Sequence, residues 1–152
     1  MEIRRYLSSD LVQISQLFYD TVHTVNAADY SEEQLNAWAT GQLDLTAWND
    51  SFLAHYTLVA IVNDEVAGFG DMTTDGYLDR LFVHKNYQGR GIATALCNEL
   101  ENAIACDQFT THASITARPF FEGRGYRVIQ EQQVVRQGVK LTNYVMAKNN
   151  KA

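Results

Sequence analysis

One stretch near the middle of the chain, residues 81–94, limits the possible folds more than any other. It starts with apolar residues typical of a strand, passes through a loop that holds Gly89 and Gly91, and continues with the apolar spacing of a helix. The first backbone N–H groups of a helix have no partners within the helix, and the positive end of the helix dipole lies beside them. Glycine tolerates unusual backbone angles and lets a ligand approach the main chain. The stretch therefore indicates either a tight turn or an anion-binding junction between a strand and a helix.

The distribution of charge favours a small anionic ligand over a polyanion. The formal net charge of the 152-residue chain is −6, which argues against nucleic acid as the main partner. Three basic side chains nevertheless fall in or beside the glycine stretch, namely Arg80, Lys85 and Arg90. We therefore expect a local basic patch that suits a small anion on an otherwise acidic protein.

The composition indicates an ordinary globular protein with one domain. The chain is 46% hydrophobic and contains a single proline, which excludes a disordered protein. No apolar run approaches the ~20 residues needed to cross a bilayer, and the N-terminus lacks the apolar core of a signal peptide. We expect a cytoplasmic protein without membrane contact, with one domain over residues 1–148 and a polar tail over residues 149–152.

The cysteines and histidines do not have the spacing of a metal site. The four histidines are scattered along the chain. Cys97 and Cys106 fall within one predicted helix, on opposite sides of it, so they cannot bridge each other there. We expect two free structural thiols and no bound metal.

The first half of the chain predicts helices followed by strands. A first short strand precedes residues with helical apolar spacing, and a capping box begins at Ser31. From residue 57 onward the pattern becomes that of strands, with turn signals at residues 63–64 and at Asp75-Gly76. These signals predict a three-stranded antiparallel meander whose last strand leads into the glycine loop.

The second half predicts how the meander becomes a larger sheet. A helix over residues 92–106 is followed by a strand at 111–115, an order that normally gives a parallel pair of strands. The remaining predicted elements are a short helix over 117–123 and two long strands over 126–136 and 139–148. The sequence thus predicts an α/β (α+β) fold with one mixed, mostly antiparallel sheet of six to seven strands flanked by helices.

Two short patterns lie at the glycine loop and downstream of it. Gln88, Gly91 and Ala93 match a pattern of Gln or Arg, two residues, Gly, one residue, then Gly or Ala. A second pattern of Ala, an aromatic pair, Gly and an aromatic is matched by Ala117, Phe120, Phe121, Gly125 and Tyr126. Both are patterns of the GNAT superfamily of N-acetyltransferases, which the chain resembles from its first strand to its final hairpin. It looks most similar to small bacterial members with unassigned substrates.

The resemblance implies the acyl-CoA N-acyltransferase fold and acetyl-CoA as cosubstrate. The pyrophosphate would lie on the backbone amides of the loop, and the pantetheine arm would pair with the preceding strand as an added strand does. The short helix near Phe120 would flank the thioester. The residues that the resemblance assigns to acetyl-CoA binding are Leu81, Phe82, Val83, Gln88, Gly89, Arg90, Gly91, Ile92, Ala93, Thr94 and Phe120.

The resemblance also implies that a primary amine of a small molecule or peptide attacks acetyl-CoA directly in a ternary complex. Such a reaction needs a group that accepts the proton of the amine, and Asp79 is the best candidate because it is a carboxylate within an otherwise apolar strand. Strict alternation places Asp79 with Tyr77 on one face of the strand, and Arg80 with Phe82 on the other. A structural ion pair or a hydrogen-bonded cap is an equally good interpretation of Asp79, and Tyr77 is a weaker alternative for the catalytic role.

The proton donor to the leaving thiolate has several candidates. Many GNAT members carry a tyrosine where this chain has Phe121, which has no proton to give. Tyr144 or Tyr126 could serve instead, although Tyr144 in a long strand is also a plain packing residue. A thiol with a pKa near ~8.5 could also leave without assistance.

The binding site for the acceptor amine is indicated in the sequence only by aromatic residues. Tyr30 and Trp38 suggest a pocket for a partly apolar amine or a peptide end, and core packing is the alternative interpretation. A second function fits the same sequence, because the protein could bind acetyl-CoA or CoA as a sensor with little catalysis. The long final hairpin suggests a possible homodimer.

Overall fold

The computed structural model describes residues 1–150, whose strands form one seven-stranded sheet in the order β1-β2-β3-β4-β5-β7-β6. The strands are β1 (Glu2–Arg5), β2 (Tyr56–Val62), β3 (Glu65–Met72), β4 (Tyr77–Val83), β5 (Gln108–Ser114), β6 (Arg127–Arg136) and β7 (Val139–Asn149). The helices are α1 (Leu11–Thr24), α2 (Glu32–Trp38), α3 (Leu45–Ala54), α4 (Ile92–Ala103) and α5 (Arg118–Gly123). The pair β4–β5 is parallel and the other five pairs are antiparallel. This architecture confirms the mixed, mostly antiparallel sheet predicted from the sequence.

Two hydrophobic cores hold helices against the two faces of the sheet. One core packs the apolar stripe of α4, with Leu96 and Leu100 fully buried, and it also contains Phe121 of α5. The other packs α1, α2 and α3 on the opposite face, with Ile14 and Phe52 almost completely buried. Each helix has apolar residues three or four positions apart, so that one side is buried while the other faces water. The sheet is therefore covered on both faces.

The predicted turn and cap signals fold as expected. The Ser31 hydroxyl accepts a hydrogen bond from the Gln34 N–H (3.2 Å), and the Gln34 side chain accepts one from the Ser31 N–H (2.9 Å). Asn63 and Asp64 both have positive φ, the conformation that a two-residue hairpin turn requires. Gly76 has φ +91°, and a Cβ there would lie 2.6 Å from the sulfur of Cys106. The capping box and both hairpins of the meander are thus confirmed.

The parallel pair β4–β5 is very short. Only Tyr77 pairs with Thr110 and Leu78 with Thr111, and beyond these positions the two strands have no further partners in each other. On its other side β4 stays paired with β3 as far as Val83. The sheet therefore splits between β4 and β5, and the side of residues 81–83 that faces β5 is left without a neighbouring strand.

The structure corrects the predicted end of the crossover helix. Helix α4 ends at Ala103, and Ile104 already has an extended backbone, with φ −106° and ψ 123°. Cys106 therefore lies in the loop before β5, where its carbonyl accepts a hydrogen bond from the Asn150 side chain. The prediction that both cysteines share one helix is wrong, although both thiols are free.

The C-terminal end of the described chain is part of the sheet. Strand β7 runs through Asn149, and the Asn150 N–H donates to the Asp107 carbonyl (2.9 Å). The tail predicted over residues 149–152 thus begins inside β7, and residues 151–152 lie outside the described part of the chain. Within residues 1–150 none of the helices is long and apolar enough to cross a membrane.

Candidate functional site

A cavity of about 550 Å³ lies where β4 and β5 separate. Its wall comes from β4, β5 and β7, from α1 and α2 on one side, and from the start of α5 on the other. The sequence-predicted residues on this wall are Tyr30, Trp38, Tyr77, Asp79, Leu81, Phe82, Val83, Gln88, Ala93 and Phe120. The split in the sheet therefore brings together most of the residues that the sequence assigned to the site.

The glycine loop forms an open cradle at the start of α4. Gly89 and Gly91 have φ +73° and +79°, and a Cβ on either would meet no atom within 4 Å. Because space is free, the backbone conformation and not crowding is what requires glycine here. The first bond of the helix runs from the Ala95 N–H to the Gly91 carbonyl (3.0 Å), so the N–H groups of residues 92–94 precede the helical ladder. These donors and the Arg90 side chain make the loop suitable for an anion.

Gln88 connects this loop to the end of β4. Its side-chain Nε2 donates to the Val83 carbonyl (2.7 Å), which also accepts from the Thr21 hydroxyl (3.2 Å). The Val83 carbonyl is therefore already occupied by protein donors. Other main-chain groups of residues 81–83 are the ones left to pair with an extended ligand.

A β-bulge changes where Asp79 points. Arg80 pairs with Asp71 of β3 but Leu78 pairs with Met72, so Asp79 has no partner residue on β3. Such a bulge interrupts the alternation of side chains. The Asp79 carboxylate consequently lies 3.4 Å from the Arg80 guanidinium, and the side chain is 32% exposed. This contact departs from the strict alternation predicted for Asp79 and Arg80. The ion pair named as one interpretation of Asp79 is present, and the role of Asp79 as a base stays a prediction.

Arg80 connects Asp79 to a buried network. Its NH1 donates to Asp71 Oδ2 at 2.6 Å, and His55 Nδ1 donates to the same oxygen at 2.8 Å. Burial raises the pKa of Asp71 above its ordinary value, and the charge of Arg80 opposes that rise. Side-chain atoms of His55, Asp71 and Asp79 lie within 4.8 Å of one another, and the guanidinium supplies the cation among them. The expectation that the protein binds no metal stays a prediction.

His112 is a site residue that the sequence analysis missed. Its ring lies edge-on to Tyr77, with 5.2 Å between centroids, and both residues line the cavity. Burial raises the pKa of Tyr77, and the negative charge of Asp79 adds to this rise. The sequence predicted that these two strands are parallel but not their register. The register brings His112, two residues beyond the paired Thr110, beside Tyr77.

Comparison with known proteins decides the family. A family model described as an acetyltransferase (GNAT) domain matches residues 26–148. The chain belongs to the GNAT family. It is 35% identical over 146 residues, 96% of this chain and 94% of the relative, to an uncharacterized N-acetyltransferase, YafP, from Escherichia coli. The predicted family and acyltransferase class are thereby confirmed.

Solved structures agree with this assignment. A structure described as a GCN5-related N-acetyltransferase from Rhodopseudomonas palustris is 32% identical, with a TM-score of 0.93 over 98% of this chain and 95% of that one. The Thermoplasma acidophilum PaiA N-acetyltransferase, solved in complex with coenzyme A, is 17% identical with a TM-score of 0.79, over 98% of each chain. At that identity the second likeness shows the fold alone. The GNAT fold of this chain is therefore established.

The predicted proton donors of this GNAT chain are not placed together. Tyr144 pairs with Ala113 in the sheet and its ring lies under the Arg118 guanidinium, 4.6 Å away, so it is not part of the cavity wall. The Tyr126 hydroxyl donates to Glu101 (3.0 Å), also away from the cavity. Among the tyrosines of residues 1–150, only Tyr30 and Tyr77 line the cavity. The residue at the usual tyrosine position, Phe121, is on the wall but has no proton.

The two predicted acceptor residues both line the GNAT cavity, and one has a clear second role. The Tyr30 hydroxyl donates to the Thr142 carbonyl (2.7 Å) and accepts from the Ile115 N–H (2.9 Å). Tyr30 therefore ties the end of β5 to β7. Trp38 lies edge-on to Tyr30, with 5.4 Å between centroids, and beside Phe82 at 6.3 Å. Pocket lining and core packing thus apply to the same side chains.

Neither cysteine takes part in the cavity wall. Cys97 is 1% exposed, and burial raises its pKa to about 12. Its thiol is protonated at neutral pH, and only the thiolate is a nucleophile. This placement fits the predicted structural role of the thiol.

Proposed function

We propose that this GNAT protein transfers an acetyl group from acetyl-CoA to a primary amine of a small molecule or peptide. The observation that carries the proposal is the split between β4 and β5, which opens one cavity between the glycine loop and the carboxylate of Asp79. A donor with an anionic end and an extended arm fits the loop and the unpaired side of residues 81–83. An amine that enters from the α1–α2 side would meet the arm next to Asp79.

The fit of acetyl-CoA rests on the loop and on the strand edge. Gly89 and Gly91 leave open space above the main chain, so a pyrophosphate can reach the N–H groups at the start of α4. Arg90, whose guanidinium lies 5.2 Å from the Tyr87 ring centre, adds positive charge there. The arm would pair with free main-chain groups of residues 81–83, and Phe120 and Phe121 would shield the thioester from water.

The chemistry that acetyl-CoA supplies is a thioester carbonyl that an uncharged amine can attack, with the CoA thiolate as leaving group. We assign Asp79 as the group that accepts the amine proton, directly or through a water, because it is the carboxylate on the cavity wall. His112 and Tyr77 lie on the same wall and are the other titratable candidates. A backbone N–H near Phe82 or Val83 would stabilise the oxyanion.

The leaving thiolate needs no dedicated acid in this proposal. Tyr144 lies off the cavity wall, and Phe121 cannot donate a proton. A thiol with a pKa near ~8.5 is a tolerable leaving group at neutral pH. Direct attack in a ternary complex also needs no nucleophile of the protein, and the buried Cys97 is consistent with that.

The acceptor end of the cavity has an aromatic side and a polar side. Phe18, Trp38, Trp48 and Phe82 form the aromatic side, and ring contacts of 5.0 Å (Phe18–Trp48) and 5.1 Å (Phe18–Phe82) connect them. The polar side contains His112, Arg136 and Asn143. An amine carried on an apolar group fits such a surface, because the apolar part is removed from water while the nitrogen reaches Asp79.

A CoA-binding sensor is the second candidate function. The observation that favours it is the absence of a tyrosine at Phe121 together with the position of Tyr144 off the wall. The sensor and the enzyme share the donor site and differ only in turnover.

The experiment that separates them uses purified protein, acetyl-CoA and a panel of amines that runs from ethanolamine and putrescine to phenethylamine, tryptamine and short peptides. Release of free CoA and the mass of the acetylated product are both measured. We expect turnover with at least one apolar amine and no product with Gly91→Val. Tight acetyl-CoA binding with no acetylated product from any amine would contradict the proposal and favour the sensor.

A further inference from the structure

Asp71 is a buried carboxylate that the proposed reaction does not touch. It lies one residue before the C-terminal end of β3 and is 0% exposed, and within residues 1–150 its Oδ1 atom has no hydrogen-bond partner. Burying a carboxylate costs free energy, and apolar residues of similar size often serve stability equally well. A role in the charge balance of the site gives a reason for its presence.

Arg80, the ion-pair partner of Asp71, also contacts other side chains around its guanidinium. Besides the bond to Asp71, the Arg80 guanidinium donates to the Ser51 hydroxyl from NH1 and from NH2, each at 3.2 Å. Its central carbon lies 4.6 Å from the Trp48 ring centre and 4.9 Å from that of Phe52. The guanidinium therefore has one fixed position, with Asp71 on its buried side and Asp79 on its cavity side.

One guanidinium thus serves two carboxylates. Arg80 NH1 lies 2.6 Å from Asp71 Oδ2 and 3.4 Å from Asp79 Oδ2. The shorter contact is also the buried one, where charges interact more strongly because water is absent. Most of the positive charge of Arg80 is therefore balanced by Asp71, and little of it is left to stabilise ionised Asp79.

We propose that Asp71 is a positioning residue that keeps Asp79 basic by neutralising Arg80 from the buried side. The inference rests on the proposed function, in which Asp79 accepts the proton of the amine. Without the charge of Asp71, Arg80 would pair with Asp79 alone and favour its ionised form. A carboxylate stabilised in that way binds a proton less well and is a weaker base.

Other titratable or charged groups also lie around Asp71 and Asp79, and they too affect the charge at Asp79. His55 donates to Asp71 from the end of α3, and a protonated His55 would compete with Arg80 for that carboxylate. Tyr77 lies beside Asp79 on β4, with His112 of β5 next to its ring. Arg136 of β6 is the other cation on the cavity wall. Among these cations, Arg80 makes the direct contact with Asp79. The extent to which Asp71 neutralises Arg80 therefore decides how strongly Asp79 binds a proton.

The test measures the proton affinity of Asp79 in the protein without any substrate. Aspartate labelled with ¹³C at the side-chain carboxyl carbon allows each carboxyl group to be titrated by NMR, and the Asp79 signal is identified by its loss in Asp79→Asn. We expect Asp71→Asn to lower the Asp79 midpoint by about half a pH unit or more, and Arg80→Gln to raise it by a similar amount. Both variants break the same ion pair, so a purely structural role would move the midpoint in one direction for both.

Asp10→Asn is the matched control. Asp10 is also buried, at 5% exposed, and is paired with Arg4 at 2.9 Å, but it does not line the cavity. This variant should lose stability and leave the Asp79 midpoint unchanged. If Asp71→Asn does not fold, Asp71→Ser removes the same charge with a smaller side chain, and its Asp79 midpoint decides the question.

Enzyme kinetics test the same inference through the reaction rate. With an amine that the wild-type protein acetylates, Asp71→Asn should lower kcat/KM at neutral pH by roughly threefold or more, with an unchanged Kd for CoA. An Asp79 midpoint in Asp71→Asn that stays within error of the wild-type value would overturn the inference, whatever the turnover. A protein that acetylates no amine would overturn the proposed function, and the titration would still report on Asp71.

Discussion

The side chain of Gln88 donates a 2.7 Å hydrogen bond to the carbonyl oxygen of Val83. The first residue of the family's loop pattern thus acts inside the protein, where it fixes the glycine loop against the end of the strand that borders the cavity. This relationship explains why a glutamine at this position matters for a loop whose ligand-facing groups are backbone amides. It also leads to a prediction about acetyl-CoA binding.

We predict that Gln88→Ala weakens acetyl-CoA binding without unfolding the protein. Loss of one hydrogen bond of about 1 kcal/mol loosens the loop, and Kd for CoA should rise by roughly fivefold. Isothermal titration calorimetry with CoA measures this change. Gln16→Ala is the control, because Gln16 makes a similar 2.9 Å side-chain bond to Asp20 on the exposed side of α1. Equal Kd values for Gln88→Ala and wild type would contradict the prediction.

Gly91 gives a second prediction with an internal control. Gly91 and Gly138 have φ +79° and +74°, and a Cβ at either would meet no atom within 4 Å. Alanine at each position should therefore cost a similar amount of stability, about 1 kcal/mol, for the left-handed backbone. Only Gly91→Ala should also lose affinity for CoA, by about tenfold, because Gly138 lies in the β6–β7 turn. Thermal unfolding and calorimetry on both variants check this. An equal loss of CoA affinity in Gly91→Ala and Gly138→Ala would contradict the prediction.

The features that the sequence predicted well are those encoded by neighbouring residues. The Ser31 capping box, the Asp75-Gly76 hairpin and the glycine loop each depend on a few adjacent side chains, and all three form as expected. The crossover order also predicted the parallel pair β4–β5.

The features that it missed depend on register between distant segments. The bulge at Asp79 arises where β3 and β4 pair, and alternation along β4 alone gives the wrong face. The bonds from Tyr30 to Ile115 and Thr142 span 85 and 112 positions of the chain, so no local pattern announces them. The contact of His112 with Tyr77 likewise needs the alignment of β5 on β4.

For the proposed base, we predict that Asp79→Asn keeps acetyl-CoA binding but loses most amine turnover. Asparagine has a similar shape and accepts no proton, so kcat should fall by about 100-fold at neutral pH. The Kd for CoA should stay near the wild-type value because Asp79 lies beyond the loop and residues 81–83. Steady-state kinetics at saturating acetyl-CoA measure the loss. Full turnover in this variant would remove Asp79 as the base and leave His112 and Tyr77 as candidates.

Tyr30 and Trp38 should respond differently to substitution. Tyr30→Phe leaves the Ile115 N–H and the Thr142 carbonyl without their shared partner, which should lower the free energy of unfolding by about 1–3 kcal/mol. Trp38→Leu should instead raise KM for an apolar amine several-fold with little change in KM for acetyl-CoA. Chemical denaturation and two-substrate kinetics separate these effects. An unchanged amine KM in Trp38→Leu would remove Trp38 from the acceptor pocket.

The lowered pKa of Glu101 leads to a prediction of how the stability of the protein depends on pH. Burial alone would raise its pKa, but hydrogen bonds from Lys148, Arg124 and Tyr126 outweigh burial and hold the pKa of Glu101 below its ordinary value. A carboxyl with a lowered folded-state pKa stabilises the protein above its unfolded pKa of ~4.3, and that stability is lost as the pH falls through the folded-state pKa. Glu101→Gln should therefore destabilise the protein clearly at pH 7 and much less near pH 3.

Urea denaturation of wild type and Glu101→Gln across this pH range tests the sign directly. The difference in the free energy of unfolding should shrink as the pH falls below about 4, because the wild-type carboxyl becomes neutral like the amide. Glu99→Gln on the exposed side of the same helix should show no such convergence, since Glu99 lies outside the salt-bridged cluster around Lys148 and Arg124. A difference that stays constant from pH 7 to pH 3 would mean that Glu101 stabilises α4 by packing and not by its charge.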